Sequence, residues 1–268
     1  MYEQFFNLLH TPFERNIPFE KLYVTNTHDE LQSRLLNCAK SRKFCVVTGD
    51  VGVGKTTSVR KFADSVDKNL FKVVYISDSA LTPRIFYWEV LKGFAGMEKP
   101  PFYRSEGKRK MILVLEAVLE NRQTPVIIID EAHLLSHEML EETRFLLNYK
   151  MDSQNPMALI IVGQSELRGI LSKDVYEPIS QRIDFRYKLP VFDRVQTQDY
   201  IWAHMSYAGE QRQIFTDSAV SAVYAYSGGL ARKINKVCTL SLMYAAQQSS
   251  RSIDENLISF VIEQELSW

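Results

Sequence analysis

The segment Gly49-Asp50-Val51-Gly52-Val53-Gly54-Lys55-Thr56 constrains this chain more than any other stretch, because it satisfies G-x-x-x-x-G-K-[ST] in full. It follows a short apolar run, Phe44 to Thr48, and leads into a stretch of helical spacing from Lys55 to about Val66. Strand, glycine-rich turn and helix in that order make a cradle for phosphate. The glycines let successive backbone N–H groups turn inward without Cβ clashes, and the helix N-terminus adds positive potential. Gly49, Asp50, Val51, Gly52, Val53 and Gly54 supply the loop. Lys55 is placed to reach β- and γ-phosphates, Thr56 to hold Mg2+ through its hydroxyl, and Thr57 completes the expected binding set.

A second segment completes that chemistry. Val126-Ile127-Ile128-Ile129 is an apolar strand that ends in Asp130 and Glu131. Asp130 is expected to help position Mg2+, and Glu131 to orient and polarise an attacking water. A carboxylate directly after the metal-positioning one favours hydrolysis of a triphosphate over its transfer to a second substrate.

Around these motifs, strands and helices alternate. A helix is expected from Asn26 to Lys43 after a Thr27 cap, a strand from Phe71 to Ser77 and a helix from about Thr82 to Phe94. KPPFYRSEGKRK, Lys99 to Lys110, reads as a Pro-rich basic connection ahead of a helix from Met111 to Asn121. A helix from Glu138 to Lys150 and a strand from Ala158 to Gly163 follow. This alternation predicts an α/β fold with a parallel sheet covered by helices on both faces. From about Arg194 only helical periodicity remains, which predicts a small all-helical lid domain. The expected division is an N-terminal arm at 1–25, rich in aromatics and packing on the larger body, a nucleotide-binding domain at 26–193 and the lid at 194–268.

Bulk properties exclude several classes. Lys and Arg total 32 against 32 Asp and Glu, so no global basic excess points to nucleic acid, and such a site would need local clustering. Cys38, Cys45 and Cys238 form no CxxC pair, which argues against a zinc site or a disulfide framework and fits a reducing cytoplasm. The opening MYEQFFNLLHTPFERN is too polar for a signal peptide, and no apolar run reaches membrane-spanning length.

The order of motifs resembles a known family. The phosphate loop, Asp130-Glu131-Ala132-His133, the apolar strand ending in Gly163-Gln164, then Gln181-Arg182-Ile183 and Gly228-Gly229-Leu230-Ala231-Arg232-Lys233-Ile234-Asn235 are similar to the AAA+ ATPases. More narrowly, with MYEQFF…PF and IIVGQSELRGIL, they resemble the general secretion pathway protein A (ExeA-like) group. That ATPase type is shared with transposition helper ATPases of the Mu and TnsC/TniB kind. The resemblance implies a P-loop NTPase that takes ATP with Mg2+; the chain has no Asn-Lys-x-Asp segment of the guanine-reading type. It makes Gln164 the sensor-1 residue, Arg182 an arginine finger directed at a neighbouring subunit, with Arg168 a competing candidate, and Arg232 sensor 2. His133 reads as a packed or hydrogen-bonded neighbour rather than a ligand.

An arginine acting in trans implies an ATP-dependent ring or filament of the chain with itself. Two roles stay open under the resemblance. Secretion-type relatives carry a membrane span and a wall-binding extension after the ATPase, whereas this sequence stops at Trp268, which favours a free-standing DNA-binding ATPase that regulates transposition through target selection or transposase recruitment. Lys99, Arg104, Lys108, Arg109 and Lys110, with Phe102 and Tyr103, are then the candidate contacts to duplex DNA. The alternative is the ATPase component of a secretion or envelope-assembly pathway.

Overall fold

The computed structural model describes residues 2–14, 16–78, 80–147 and 155–267. In chain order the elements are α1 (Tyr2–Phe6), α2 (Asn26–Ser41), β1 (Phe44–Thr48), α3 (Lys55–Ser65), β2 (Phe71–Ile76), α4 (Pro83–Ala95), α5 (Arg104–Glu120), β3 (Thr124–Ile129) and α6 (His137–Leu146). They continue with β4 (Ala158–Gly163), α7 (Ser165–Leu171), α8 (Glu177–Ser180), β5 (Phe185–Lys188), α9 (Arg194–Tyr207), α10 (Asp217–Ser227), α11 (Ala231–Gln247) and α12 (Glu255–Val261). Two compact units result. An α/β unit is formed by His28–Gly49 and Lys55–Leu189, and a helical unit by Met1–Thr27, Asp50–Gly54 and Pro190–Trp268.

The α/β unit is built on a five-stranded sheet in the order β2-β3-β4-β1-β5, and every pairing is parallel. Position in the sheet follows side-chain chemistry. The run VIII of β3, with all of β1 and β4, is buried residue by residue, as strands with neighbours on both edges and helices on both faces require. The edge strand β2 alternates more, with Lys72, Val73 and Tyr75 partly or fully exposed. Pro125 is tolerated because it precedes Val126, where the pairing of β3 with β4 begins. Phe44, Phe86, Tyr87, Leu91, Met111, Leu115, Ile127 and Ile129 pack in one core, each large apolar side chain contributing about 1.5–3 kcal/mol on burial. Thr82 caps α4 by accepting the Ile85 N–H, and Ser136 caps α6 by accepting that of Met139.

Several boundaries differ from expectation. α2 already begins at Asn26, so Thr27 lies in its first turn instead of capping it. α5 starts at Arg104, well before Met111; Gly107, Met111, Leu115 and Val118 form its buried stripe, and a Glu106–Lys110 pair at 2.7 Å supports its first turns. Lys108, Arg109 and Lys110 therefore sit on a helix and not in a connection. The end of the helix expected to reach Lys150 lies outside the described residues from position 148 on. β5, FRYK, carries too short an alternation to stand out in the sequence, and among the described residues it pairs with β1 alone.

The helical unit has its own core of α9 to α12, including Ile201, Val220, Val237, Leu242 and Ile258. The N-terminal arm was expected to pack on the nucleotide-binding body. Its Tyr2, Phe6 and Phe13 instead belong to this second core, and the Phe13 N–H donates to His204 Nδ1 at 3.0 Å while the two rings stack. Aromatic bulk without a binary pattern says that the arm must be buried, but not where. Gly229 has φ +76, and a Cβ there would lie 1.9 Å from the Phe192 carbonyl oxygen, so the Gly228-Gly229 pair lets the chain pass too closely for any side chain.

Candidate nucleotide-binding site

Sheet register assembles the site. β1 pairs β4 with Thr48 beside Gly163, and β4 pairs β3 with Ile161 beside Ile129. Gly49, Asp130 and Gln164 therefore each follow the carboxyl end of a central strand, the edge of a parallel sheet where ligands collect. Lys55 opens α3, is only 8% exposed, and donates from Nζ to the Gly49 carbonyl at 2.8 Å.

Asp130 is buried at 3% exposure, and its carboxylate accepts three hydrogen bonds. Thr56 Oγ1 donates to Oδ2 at 2.8 Å, the Tyr75 hydroxyl donates to the same oxygen at 2.7 Å, and the Glu131 N–H donates to Oδ1 at 2.8 Å. Burial is thus matched by donors, as a charge removed from water requires. Because the Thr56 hydroxyl proton is directed to Asp130, its oxygen lone pairs remain for a cation. Thr56 and Asp130 are the residues able to hold a magnesium ion. Both offer hard oxygen, the ligand type that magnesium takes.

Glu131 has φ +52, a left-handed conformation uncommon for a residue with a side chain. The strain sits at the residue expected to manage the attacking water, a pattern of active sites. Its carboxylate is 45% exposed, and Oε2 lies 3.5 Å from His133 Nδ1. That nitrogen is buried and has no hydrogen-bond partner among the described residues, so His133 is a packed neighbour only loosely engaged with the glutamate. Gln164 is half-buried at the N-cap of α7 and makes no side-chain capping bond.

In the helical unit, Asp50–Gly54 forms a turn closed by the Val53 N–H on the Asp50 carbonyl at 3.3 Å. Gly52, at φ +83, is required: a Cβ there would fall 2.7 Å from Arg232 Cβ. The Arg232 N–H donates to the Gly52 carbonyl at 3.1 Å, so the loop satisfies one of the unpaired amides in the first turn of α11. Arg232 itself is exposed. Val51 and Thr57 are exposed and half-buried respectively.

The other expected residues lie elsewhere. Arg182, half-buried after α8, lines a cleft of 540 Å³ with Arg144, Asn155, Gln181 and Asp184. Lys55, Thr56, Asp130 and Glu131 do not line that cleft. Arg168 is exposed on α7. The basic cluster is largely neutralised: Arg104 pairs with Glu138 and Glu142, Lys108 with Glu142 at 3.3 Å, and Lys110 with Glu106. Only Lys99 and Arg109 of the five are exposed without an ion pair among the described residues.

Two residues went unread in the sequence. Tyr75 reaches Asp130 from the neighbouring strand, and that register is invisible in one dimension. Glu142 is 1% exposed on α6, where its carboxylate accepts from the Tyr87 hydroxyl and pairs with Arg104 and Lys108. Burial alone would raise its pKa, but the hydrogen bonds from Tyr87 and Arg104 and the charges of Lys108 and Arg104 outweigh it and hold the carboxyl below its ordinary value.

The family model described as an AAA domain matches residues 38–171, half of the chain. General secretion pathway protein A of Aeromonas hydrophila is 29% identical over 264 residues, 97% of this chain and 47% of that protein. The flagellar biosynthesis protein FlhF of Aquifex aeolicus is 27% identical over 59% of this chain and 39% of its own length. The chain thus spans about half the length, or less, of the curated relatives it matches. Among solved structures, a Drosophila ORC structure bound to DNA superposes with TM-score 0.71 at 16% identity, covering 100% of this chain and 65% of that one. The Thermotoga maritima RuvB Holliday junction branch migration motor gives 0.62 at 17% identity, covering 94% and 72%. At such identities these likenesses concern the fold alone.

Proposed function

The chain belongs to the AAA-domain family, and from that premise we propose that it is a magnesium-dependent ATP hydrolase acting as a nucleotide-driven switch in a secretion or envelope-assembly pathway. The observation that carries the hydrolase reading is the 2.8 Å bond from the Thr56 hydroxyl to a buried Asp130, with Glu131 next in the chain. That contact joins the first turn of α3, where the phosphate motif ends, to the acidic strand end within the α/β unit, and a lone phosphate-binding turn has no need of it.

Each side chain then has a role. Lys55 neutralises phosphate oxygens beside the backbone amides that open α3, and Thr56 with Asp130 would fix the cation's place. Magnesium, when bound, draws electron density from the phosphate oxygens and stabilises the charge that develops on them. Glu131 accepts a hydrogen bond from the attacking water, and Gln164 positions that water or the γ-phosphate. Arg182 is assigned to a neighbouring copy's site, consistent with its position on a separate cleft.

The pathway assignment is supported by the similarity to general secretion pathway protein A, which runs along nearly the whole chain. A role with duplex DNA and a transposase has weaker support, because three of the five basic residues it drew on are paired with carboxylates. Among the described residues no helix is long and apolar enough to cross a membrane.

ATP turnover measured with and without duplex DNA tests the proposal. Magnesium-dependent turnover that ignores DNA is expected; stimulation by DNA at moderate salt would return the transposition reading to first place. Glu131→Gln should bind ATP and fail to hydrolyse it, and turnover retained in that variant would remove Glu131 from its role.

A further inference from the structure

We infer that Tyr75 is a positioning residue of the metal site, a clamp that holds the Asp130 carboxylate in the orientation the cation needs. This rests on the magnesium-site reading above and extends it to a side chain on the outer strand of the sheet.

The geometry is specific. β2 pairs β3 in parallel with Tyr75 beside Ile128 and Ile76 beside Ile129, so Asp130 follows the last paired residue of β3. The Asp130 N–H donates to the Ile76 carbonyl at 2.8 Å, which ties the aspartate's backbone to β2. Tyr75 ties its side chain to the same strand by donating from its hydroxyl to Oδ2 at 2.7 Å. The ring is 42% exposed, so burying the ring does not by itself explain a large aromatic on an edge strand. Its polar tip is what is engaged.

Lone-pair accounting gives the clamp a consequence. Oδ2 accepts from both Thr56 and Tyr75, and these two bonds use that oxygen's capacity. Oδ1 accepts from the Glu131 N–H and retains a lone pair. Tyr75 therefore directs the remaining acceptor capacity of Asp130 to one oxygen and restrains rotation about the Cβ–Cγ bond. Without the phenol, Oδ2 keeps a vacant acceptor position and the carboxylate can turn between two arrangements. Groups that orient a metal-site residue in this way change metal affinity by about 10–100-fold when removed.

The test is Tyr75→Phe, which deletes one oxygen from a half-exposed ring. A fluorescent ATP analogue is titrated into wild type and variant, once in EDTA and once across a Mg2+ series, and the Mg2+ concentration giving half of the metal-dependent gain is read. The variant should need about tenfold more Mg2+ while its affinity in EDTA equals that of wild type. Equal Mg2+ midpoints in the two proteins would overturn the inference and leave the metal site intact. A parallel loss of affinity in EDTA would overturn it too, because it would make Tyr75 a support of the whole pocket. Wild-type binding that ignores Mg2+ would instead sink the metal-site reading, and the clamp with it.

Discussion

Replacing Glu142 by glutamine should weaken the α/β unit by about 2–3 kcal/mol without touching the nucleotide site. The carboxylate of Glu142 joins three helices: Tyr87 reaches it from α4, Arg104 and Lys108 from α5, and Glu142 itself is on α6. A buried hydrogen bond to a charged group is worth about 1.5–3 kcal/mol. The Tyr87 bond is wholly buried, and the amide oxygen of glutamine can still accept it, so only the charge assistance is lost there, about 1 kcal/mol. The Arg104 and Lys108 side chains are 47% and 38% exposed, so water screens them and each pair is held to about 0.5–1 kcal/mol. The two cations do not need Glu142 for solvation. At about 2–4 °C per kcal/mol, the calorimetric transition of this unit should fall by about 4–12 °C at neutral pH.

Acid supplies the second arm of that experiment. The folded pKa of Glu142 is held below its usual 4.5, so the carboxylate's stabilisation is complete above that value and is lost as pH falls through the folded pKa. The gap between wild type and Glu142→Gln should therefore stay constant from neutral pH to about pH 5 and narrow as pH falls below 4.5 and through the folded pKa. Identical transitions at neutral pH, or a gap that widens on acidification, would refute the reasoning.

Lys55→Ala should lower ATP affinity by about two orders of magnitude, about 2.7 kcal/mol, in direct binding measurements, since the ammonium is the one side-chain cation of the phosphate loop; affinity within threefold of wild type would contradict its placement. Arg182→Ala should cut turnover about 10³-fold or more, and mixing it with Lys55→Ala subunits should restore part of it, because each variant supplies what the other lacks. No recovery in the mixture would make Arg168 or a monomeric enzyme the better account. The helical unit should lose about 3 kcal/mol between pH 6.5 and 4: burial pushes His204 down to about 4, so the folded state stays unprotonated while the unfolded chain takes up a proton, at about 1.4 kcal/mol per pH unit. Stability of His204→Gln should be flatter across that window, with fluorescence of the aromatic arm as the readout, and an equally steep fall in the variant would clear His204 of the effect.

What could be read from the sequence separates by the range of the interactions involved. The phosphate loop, the acidic strand end and the central strands are local: each is a run of residues whose chemistry dictates its own conformation, and the parallel pairing follows from how few ways such runs can stack. Gln164 is singled out by the family resemblance, and its place at the sheet's carboxyl edge follows from its position directly after the apolar strand β4. The pairing of the basic cluster is hidden for the complementary reason. KPPFYRSEGKRK looks like a free positive segment until α6 brings Glu138 and Glu142 against it, and those acids lie in a helix whose own spacing says nothing of α5. The stripe at Gly107, Met111, Leu115 and Val118 marks the early start of this helix, although the Pro-Pro pair and the charges beside it mask the pattern. Tyr75 is the sharpest case, because the register of β2 on β3 alone decides that its hydroxyl meets Asp130 and not solvent. A shift of one residue would turn the ring to the opposite face of the sheet and leave Oδ2 with Thr56 alone. The proposed metal site would thus be only as well ordered as the pairing of an edge strand, so changes that loosen β2 should raise the Mg2+ requirement before they unfold the protein.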